Sequence, residues 1–302
     1  MEQENKAKKL KTGRPVVVIV GASSKHGRAD VEEKGDSSNK VEDGNDGSSS
    51  RRSTRWGLGG ALGLPFARAG YVIVLLGRRI DALHDVMNLI LEEVETAMIL
   101  CETCDVTDDA SVKRAFDEVK RMIKISFDGY IDLVIFNAAA PYPKNFRFAH
   151  WGDVLLPHQI DIANMNHQYD TQTNGLIRVS KQVLPDMMER KRGCILVSGE
   201  TICSLHGRYE FGSVAPPRAA LRSLTQCMFQ AYAPMGVHVC HVNIGGIIDT
   251  PKTRSWSVRD PLVDPHAIAQ EYYNVYKQHH TVWSYEVQLT PSFAARKIDM
   301  RM

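Results

Sequence analysis

No stretch of this sequence is apolar for anything near the roughly eighteen residues of a bilayer-spanning helix, so a membrane-embedded chain is not expected. Charge of one sign is also missing. Thirty-seven Lys and Arg stand against 35 Asp and Glu, a formal net charge of +2, which gives nucleic acid or an anionic membrane surface no field to follow. Cysteine is scarce, with six in 302 residues. Cys101-x-x-Cys104 has the spacing of a metal or redox pair, but no second pair stands at zinc-finger distance and the pair closes a predicted strand, so ordinary core use is the expectation. No other metal constellation is present: His238 and His241 fall on opposite faces of one strand, and His279-His280 has no acidic partner at ligand spacing. The lysine-rich start holds no apolar core, so no secretory leader is expected and the cytoplasm is the expected compartment.

What the chain does contain begins with a β-branched run, Val16 to Val20, bounded by Pro15 and Gly21, which reads as a buried parallel strand. Gly21-Ala22-Ser23-Ser24 follows it. The chain takes up the same pattern later with Gly57-Leu58-Gly59-Gly60, a helical stretch containing Phe66 to Gly70, and a second apolar run, Tyr71 to Leu76. With Lys25 to Trp56 removed, the order is strand, G-A-S-S-G-L-G, helix, strand, as in a dinucleotide-binding βαβ unit. Glycine suits each place, because the turn is tight and the backbone must come close to a pyrophosphate. The removed segment mixes balanced charges with many Gly and Ser and has only Ala29, Val31 and Val41 as aliphatics, so it is expected to be a disordered, low-complexity insert. Its Arg51-Arg52-Ser53-Thr54-Arg55 reads as a solvated flank, with a regulatory or partner-binding role as the alternative. Residues 1–14 read as a flexible tail, and 15–302 as one domain interrupted by the insert at 25–56.

After Gly57 short β-rich runs at Met98 to Cys101, Ile131 to Phe136, Cys194 to Val197 and Val237 to Val242 alternate with helical patterns. That alternation predicts an α/β fold, a doubly wound parallel sheet with helices on both faces, because right-handed crossovers permit little else. Ligands of such sheets bind outside the carboxyl ends of the strands. Two prolines bear on the helices. Pro65 falls in what should be the interior of the first helix, where it would cost about 3 kcal/mol. Another helix is read as ending near Leu184-Pro185.

On these residues the chain resembles a short-chain dehydrogenase/reductase, a Rossmann-fold family, over nearly everything outside the tail and the insert. The resemblance implies a cofactor site. Gly21, Ser23, Ser24, Gly57, Leu58 and Gly59 would line the pyrophosphate. Gly77-Arg78-Arg79 ends the second strand where an acidic residue would hold a ribose 2′-hydroxyl; arginine there suits a 2′-phosphate, so NADP(H) is implied, with NAD(H) as the alternative. Asp105-Val106 matches the family's adenine contact, and Asn137-Ala138-Ala139 its Asn-Ala-Gly turn. Val242 to Thr250 matches the loop over the nicotinamide through Gly246, Ile248 and Thr250, with Gly245 where proline is usual. The family also implies a small carbonyl or alcohol substrate of unknown identity, and a homodimer or homotetramer.

The family's chemistry needs a tyrosine acid, a lysine one helical turn later, a serine and an asparagine. Alignment on Ala220 to Leu224 puts the tyrosine position at Val214 and the lysine position at Arg218. Valine transfers no proton. Arginine holds its proton beyond pH 12, though its donors suit ribose hydroxyls. Pro216-Pro217 fits a first helical turn, so the helix is expected to begin there with Val214 outside it. The serine position falls at Glu200 or Thr201, and the asparagine position at Gln172, with Asn174 facing elsewhere. Tyr209 is the nearest other tyrosine and reads as a packing residue. Two readings follow: an NADP(H)-dependent short-chain oxidoreductase with its tetrad replaced, or a non-catalytic nucleotide-binding or interaction protein, a pseudoenzyme, on the same fold.

Overall fold

The computed structural model of the chain describes residues 13–22, 56–141, 156–205, 207, 209–251, 253–255 and 261–292. Seven parallel strands form one sheet in the order β3-β2-β1-β4-β5-β6-β7. They are β1 Pro15–Val20, β2 Val72–Gly77, β3 Met98–Thr103, β4 Tyr130–Phe136, β5 Gly193–Glu200, β6 Val237–Ile244 and β7 Glu286–Leu289. Each begins within a residue or two of a β-branched or apolar run in the sequence. The order reverses between β1 and β4, so the crevice for a ligand opens at their carboxyl ends.

The helices are α1 Leu58–Ala61, α2 Leu64–Arg68, α3 Ile80–Glu93, α4 Asp109–Phe127, α5 Ile162–Tyr169, α6 Gly175–Arg190, α7 Thr201–Leu205, α8 Ala215–Tyr232 and α9 Pro265–Tyr276; a π-helical turn, Asp170–Asn174, joins α5 to α6. Residues alternate across β1. Val16, Val18 and Val20 face a core with Phe116 of α4, Val179 of α6 and Leu221 of α8. Val17 and Ile19 face the opposite core with Phe66 of α2, Leu83 of α3 and Tyr272 of α9.

The structure corrects three local expectations. The first helix is not continuous: it breaks at Leu62-Gly63, and Pro65 lies in the first turn of α2, where its missing N–H has no partner to lose. The expected penalty therefore does not arise. The helix read as ending near Pro185 runs on as α6 to Arg190 and closes at Lys191 in the left-handed region, φ 51°. Burial of Val183, Leu184 and Met187 holds the helix through its proline. Trp56, assigned from the sequence to the insert, is only 8% exposed and packs edge-on against His266 of α9 with centroids 5.2 Å apart. It belongs to the packed domain. The rest of the insert, the tail through residue 12, and Ser23 and Ser24 lie outside the described residues.

Candidate cofactor and active site

The carboxyl end of β1 turns at Gly21, whose φ of +82° suits glycine. The amides of Gly21 and Ala22 both donate to the Leu76 carbonyl, at 2.9 and 3.0 Å, which ties the turn to β2. A Cβ on Gly21 would lie 2.7 Å from the Ala138 amide nitrogen, and one on Gly59 would lie 2.5 Å from the Gly21 carbonyl oxygen. Thus the two halves of the glycine pattern, far apart in sequence, meet backbone to backbone. Asn137 closes the knot: its amide donates to the Val20 carbonyl at 2.9 Å and its Nδ2 to the Gly21 carbonyl at 3.2 Å. Leu58 is buried. The helix that follows, α1, is a single turn.

Arg78 and Arg79 follow β2 and are exposed. Asp105 ends the segment after β3. Burial pushes its carboxyl up, but the Thr107 amide at 3.0 Å, the Thr107 hydroxyl at 2.7 Å and the charges of Arg78 and His167 outweigh it, so the carboxyl titrates below its ordinary value. Val106 is buried against Gly175. Arg178, which the sequence reading passed over, fixes this corner through the Val106 carbonyl at 3.1 Å, Asp109 at 3.1 Å and Asp170 at 2.8 Å. The loop after β6 is folded tightly: Ile248 bridges to Val263, a Cβ on Gly246 would lie 2.5 Å from the Val263 side chain, and Thr250 bonds Thr253 through both its amide and its hydroxyl.

The four positions where the catalytic groups would stand are held as follows. Gln172 is buried on the π-helical turn and donates to Gln168 at 2.8 Å; Gln168 in turn donates to the Pro141 carbonyl at 2.7 Å. Asn174 is exposed and bonds Asp170, facing away as its position implied. Val214 is wholly buried and stands outside the helix as the residue capping α8, with φ −122° and ψ −24°. Arg218 is buried in the first turn of α8, and its Nη1 pairs with Glu200 Oε2 at 2.6 Å. Arg218 and Glu200, which the sequence signalled only as opposite charges, are thereby joined into one ion pair. Thr201 accepts from Gln288 of β7 at 2.8 Å. Tyr209 is 53% exposed on a short turn.

On β6 the His241 ring fills the space a Gly199 side chain would need: a Cβ there would overlap Nε2. Burial lowers its pKa to about 4, against the opposing charge of Glu286 and with the help of Arg222. The Cys101 and Cys104 thiols are pushed up by burial to about 11 and about 12, which keeps them protonated and fits core use. Among the described residues no cluster of His, Cys, Asp or Glu is arranged to hold a metal, and no helix is long and apolar enough to cross a membrane.

Comparison with known proteins agrees with this geometry. The family model for short chain dehydrogenase matches residues 54–260. The chain is 24% identical over 219 residues to an uncharacterized oxidoreductase of Staphylococcus aureus, covering 71% of this chain and 84% of that one. It is 26% identical over 222 residues to oxidoreductase UcpA of Escherichia coli, covering 71% and 74%. Among solved structures, an alcohol dehydrogenase of Thermococcus sibiricus complexed with 5-hydroxy-NADP superposes with a TM-score of 0.67 at 21% identity over 93% and 97% of the two chains. An NADPH-bound short chain oxidoreductase of Pseudomonas aeruginosa with an atypical catalytic center superposes with a TM-score of 0.68 at 16% identity over 93% and 96%. At those identities the structures speak for the fold alone.

Proposed function

The chain belongs to the short chain dehydrogenase family, and from that premise we propose that it is an NADP(H)-binding member that has lost the family's tyrosine-dependent carbonyl reduction. Fit to the cofactor is supported by the turn at Gly21 and Gly59, where backbone meets backbone too closely for any side chain, as a tight pyrophosphate-binding turn requires. Ser23, Ser24, Gly57 and Leu58 would complete that contact. Arg78 and Arg79 would grip a 2′-phosphate, which favours NADP(H) over NAD(H). Asp105 and Val106 would meet the adenine, Asn137, Ala138 and Arg218 the ribose, and Gly246, Ile248 and Thr250 the nicotinamide end. A bound nicotinamide supplies or accepts hydride.

The protein's own groups do not complete the reaction. Val214 offers no proton, and removing a general acid typically slows such chemistry by about 10² to 10⁴. Arg218 does not titrate in the working range and is committed to Glu200 at 2.6 Å, the observation that carries this reading. Of the two residues at the serine position, Thr201 would supply a hydroxyl, whereas Glu200 would put negative charge where charge develops on a carbonyl oxygen and oppose it. A second reading, a reductase with another proton donor, is favoured by the exposed Tyr209 phenol and by the NADPH-bound relative with its atypical center. A homodimer or homotetramer is carried over from the family resemblance, and a cytoplasmic location from the lysine-rich start and the lack of a long apolar run in the sequence. One experiment separates the two readings: titration of NADPH and NADH by protein fluorescence, followed by assay of an aldehyde and ketone panel with NADPH. We expect NADPH binding without turnover. Turnover at an ordinary enzymic rate, about 1 to 10³ per second, would overturn the non-catalytic reading and put Tyr209 first among proton donors.

A further inference from the structure

At the opposite end of the sheet from the crevice, a cleft of about 910 Å³ opens between the starts of β5 and β6, the ends of α8 and α9, and the loop that follows α9. That volume lies within the range of small-molecule sites. One wall is aromatic: the His238 and Trp283 rings stack 4.9 Å apart and 1° from parallel, with Phe229 and Tyr276 nearby. The other character of the cleft is cationic. Lys191, Arg192 and Lys277 line it, while Asp132 is its one carboxylate. Asp132 is occupied, accepting from Arg192 Nε and Nη2 at 3.0 Å each and from the Tyr276 hydroxyl at 2.7 Å. Lys191 and Lys277 each follow a helix carboxyl end, where a cation offsets the helix dipole. That role does not use up their charge, because both are exposed and neither has an ion-pair partner among the described residues.

The walls are set before any ligand arrives. Gln278 and Ser284 exchange hydrogen bonds at 3.0 and 2.9 Å across the loop, and His238 Nε2 lies 2.8 Å from the Ser284 carbonyl, which it meets as a donor. His238 is 2% exposed, and its other ring nitrogen, Nδ1, has no partner among the described residues.

We propose that this cleft binds a flat organic anion, an aromatic ring carrying a carboxylate or phosphate, with the ring on the Trp283 wall and the anionic group between Lys191 and Lys277. The site is separate from the nucleotide crevice. The probe is 1-naphthoate, with the neutral 1-naphthamide and inorganic phosphate as controls, titrated calorimetrically into the full chain with and without NADPH. We expect naphthoate to bind near 1 mM or tighter. Naphthamide and phosphate should each bind about tenfold more weakly, since each lacks one half of the recognition. Lys191→Glu with Lys277→Glu, both at exposed positions, should weaken naphthoate by a similar factor, and Trp283→Phe should abolish its quenching of protein fluorescence. Absence of saturable binding, equal binding of naphthamide, indifference to the charge reversal, or competition by NADPH would each overturn the assignment.

Discussion

Arg218 and Glu200 lie apart in sequence and carry opposite charge, and each is intelligible only through the other. Arg218→Ala leaves the Glu200 carboxylate, 28% exposed, without its closest cation. We expect a loss of about 1.5–3 kcal/mol, the worth of a hydrogen bond to a charged group, read as a lowered urea midpoint. Adding Glu200→Ala to that variant should recover part of the loss, because the stranded charge is removed with it. A second residue-scale prediction concerns His241. Its folded pKa, about 4, is below the value near 6.5 of an unfolded histidine, so the unfolded chain binds a proton that the folded chain refuses. Stability from this group is therefore complete above pH 6.5, falls as the pH drops from 6.5 to 4, and changes no further below that; the total is about 3 kcal/mol. His241→Gln should flatten the thermal midpoint of the chain across that window relative to the parent, and an unchanged slope would show that other groups control it. Val214 and Arg218 come to the positions where the family resemblance implies tyrosine and lysine by alignment of the sequence alone. It did not disclose the ion pair or the His241 ring over Gly199, because those depend on which strand and helix faces meet.

At the scale of elements, legibility followed burial. β1 to β6 were readable because each carries a short, largely apolar run, wholly buried in β2 and β6 and half-buried in the edge strand β3, whereas β7, a four-residue edge strand with Glu286 and Gln288, carries no such run. Helix boundaries were not, because proline's local preference competes with packing that local sequence does not contain. Pro65 ends up in a first turn, and Pro185 is carried through α6 by its buried neighbours. Pro65→Ala should accordingly change stability by less than about 1 kcal/mol, where an interior proline would have given about 3 kcal/mol on removal. Gly59→Val should behave in the opposite way. Its Cβ would collide with the Gly21 and Ala22 carbonyls, so the two halves of the phosphate loop must part. We expect NADPH binding to be lost while the far-ultraviolet circular dichroism of the sheet is kept. Retained binding would show that the cradle is not where the pyrophosphate lies.

The whole molecule is organised by an interruption. The connection from Ala22 to Trp56 leaves and re-enters the fold at one place, since Gly59 packs on Gly21 and Ala22 and Trp56 is seated on His266 at the start of α9. From composition the intervening residues are expected to build no core, but composition does not tell where the packed chain resumes, because one tryptophan beside arginines looks like part of the insert. Two deletions that differ by one residue test this. Removing 25–55 keeps the indole and shortens a loop whose ends already meet; closure becomes easier by about 0.6 kcal/mol per halving of length, so stability should hold or rise slightly. Removing 25–56 also takes away a side chain that is 8% exposed, and loss of a buried tryptophan costs about 3–5 kcal/mol. The urea midpoints of the two proteins should therefore separate widely, with the shorter deletion near the parent and still able to bind NADPH. Equal midpoints would mean that Trp56 contributes no packing, and aggregation of the 25–55 deletion would mean that the insert supports the fold it interrupts.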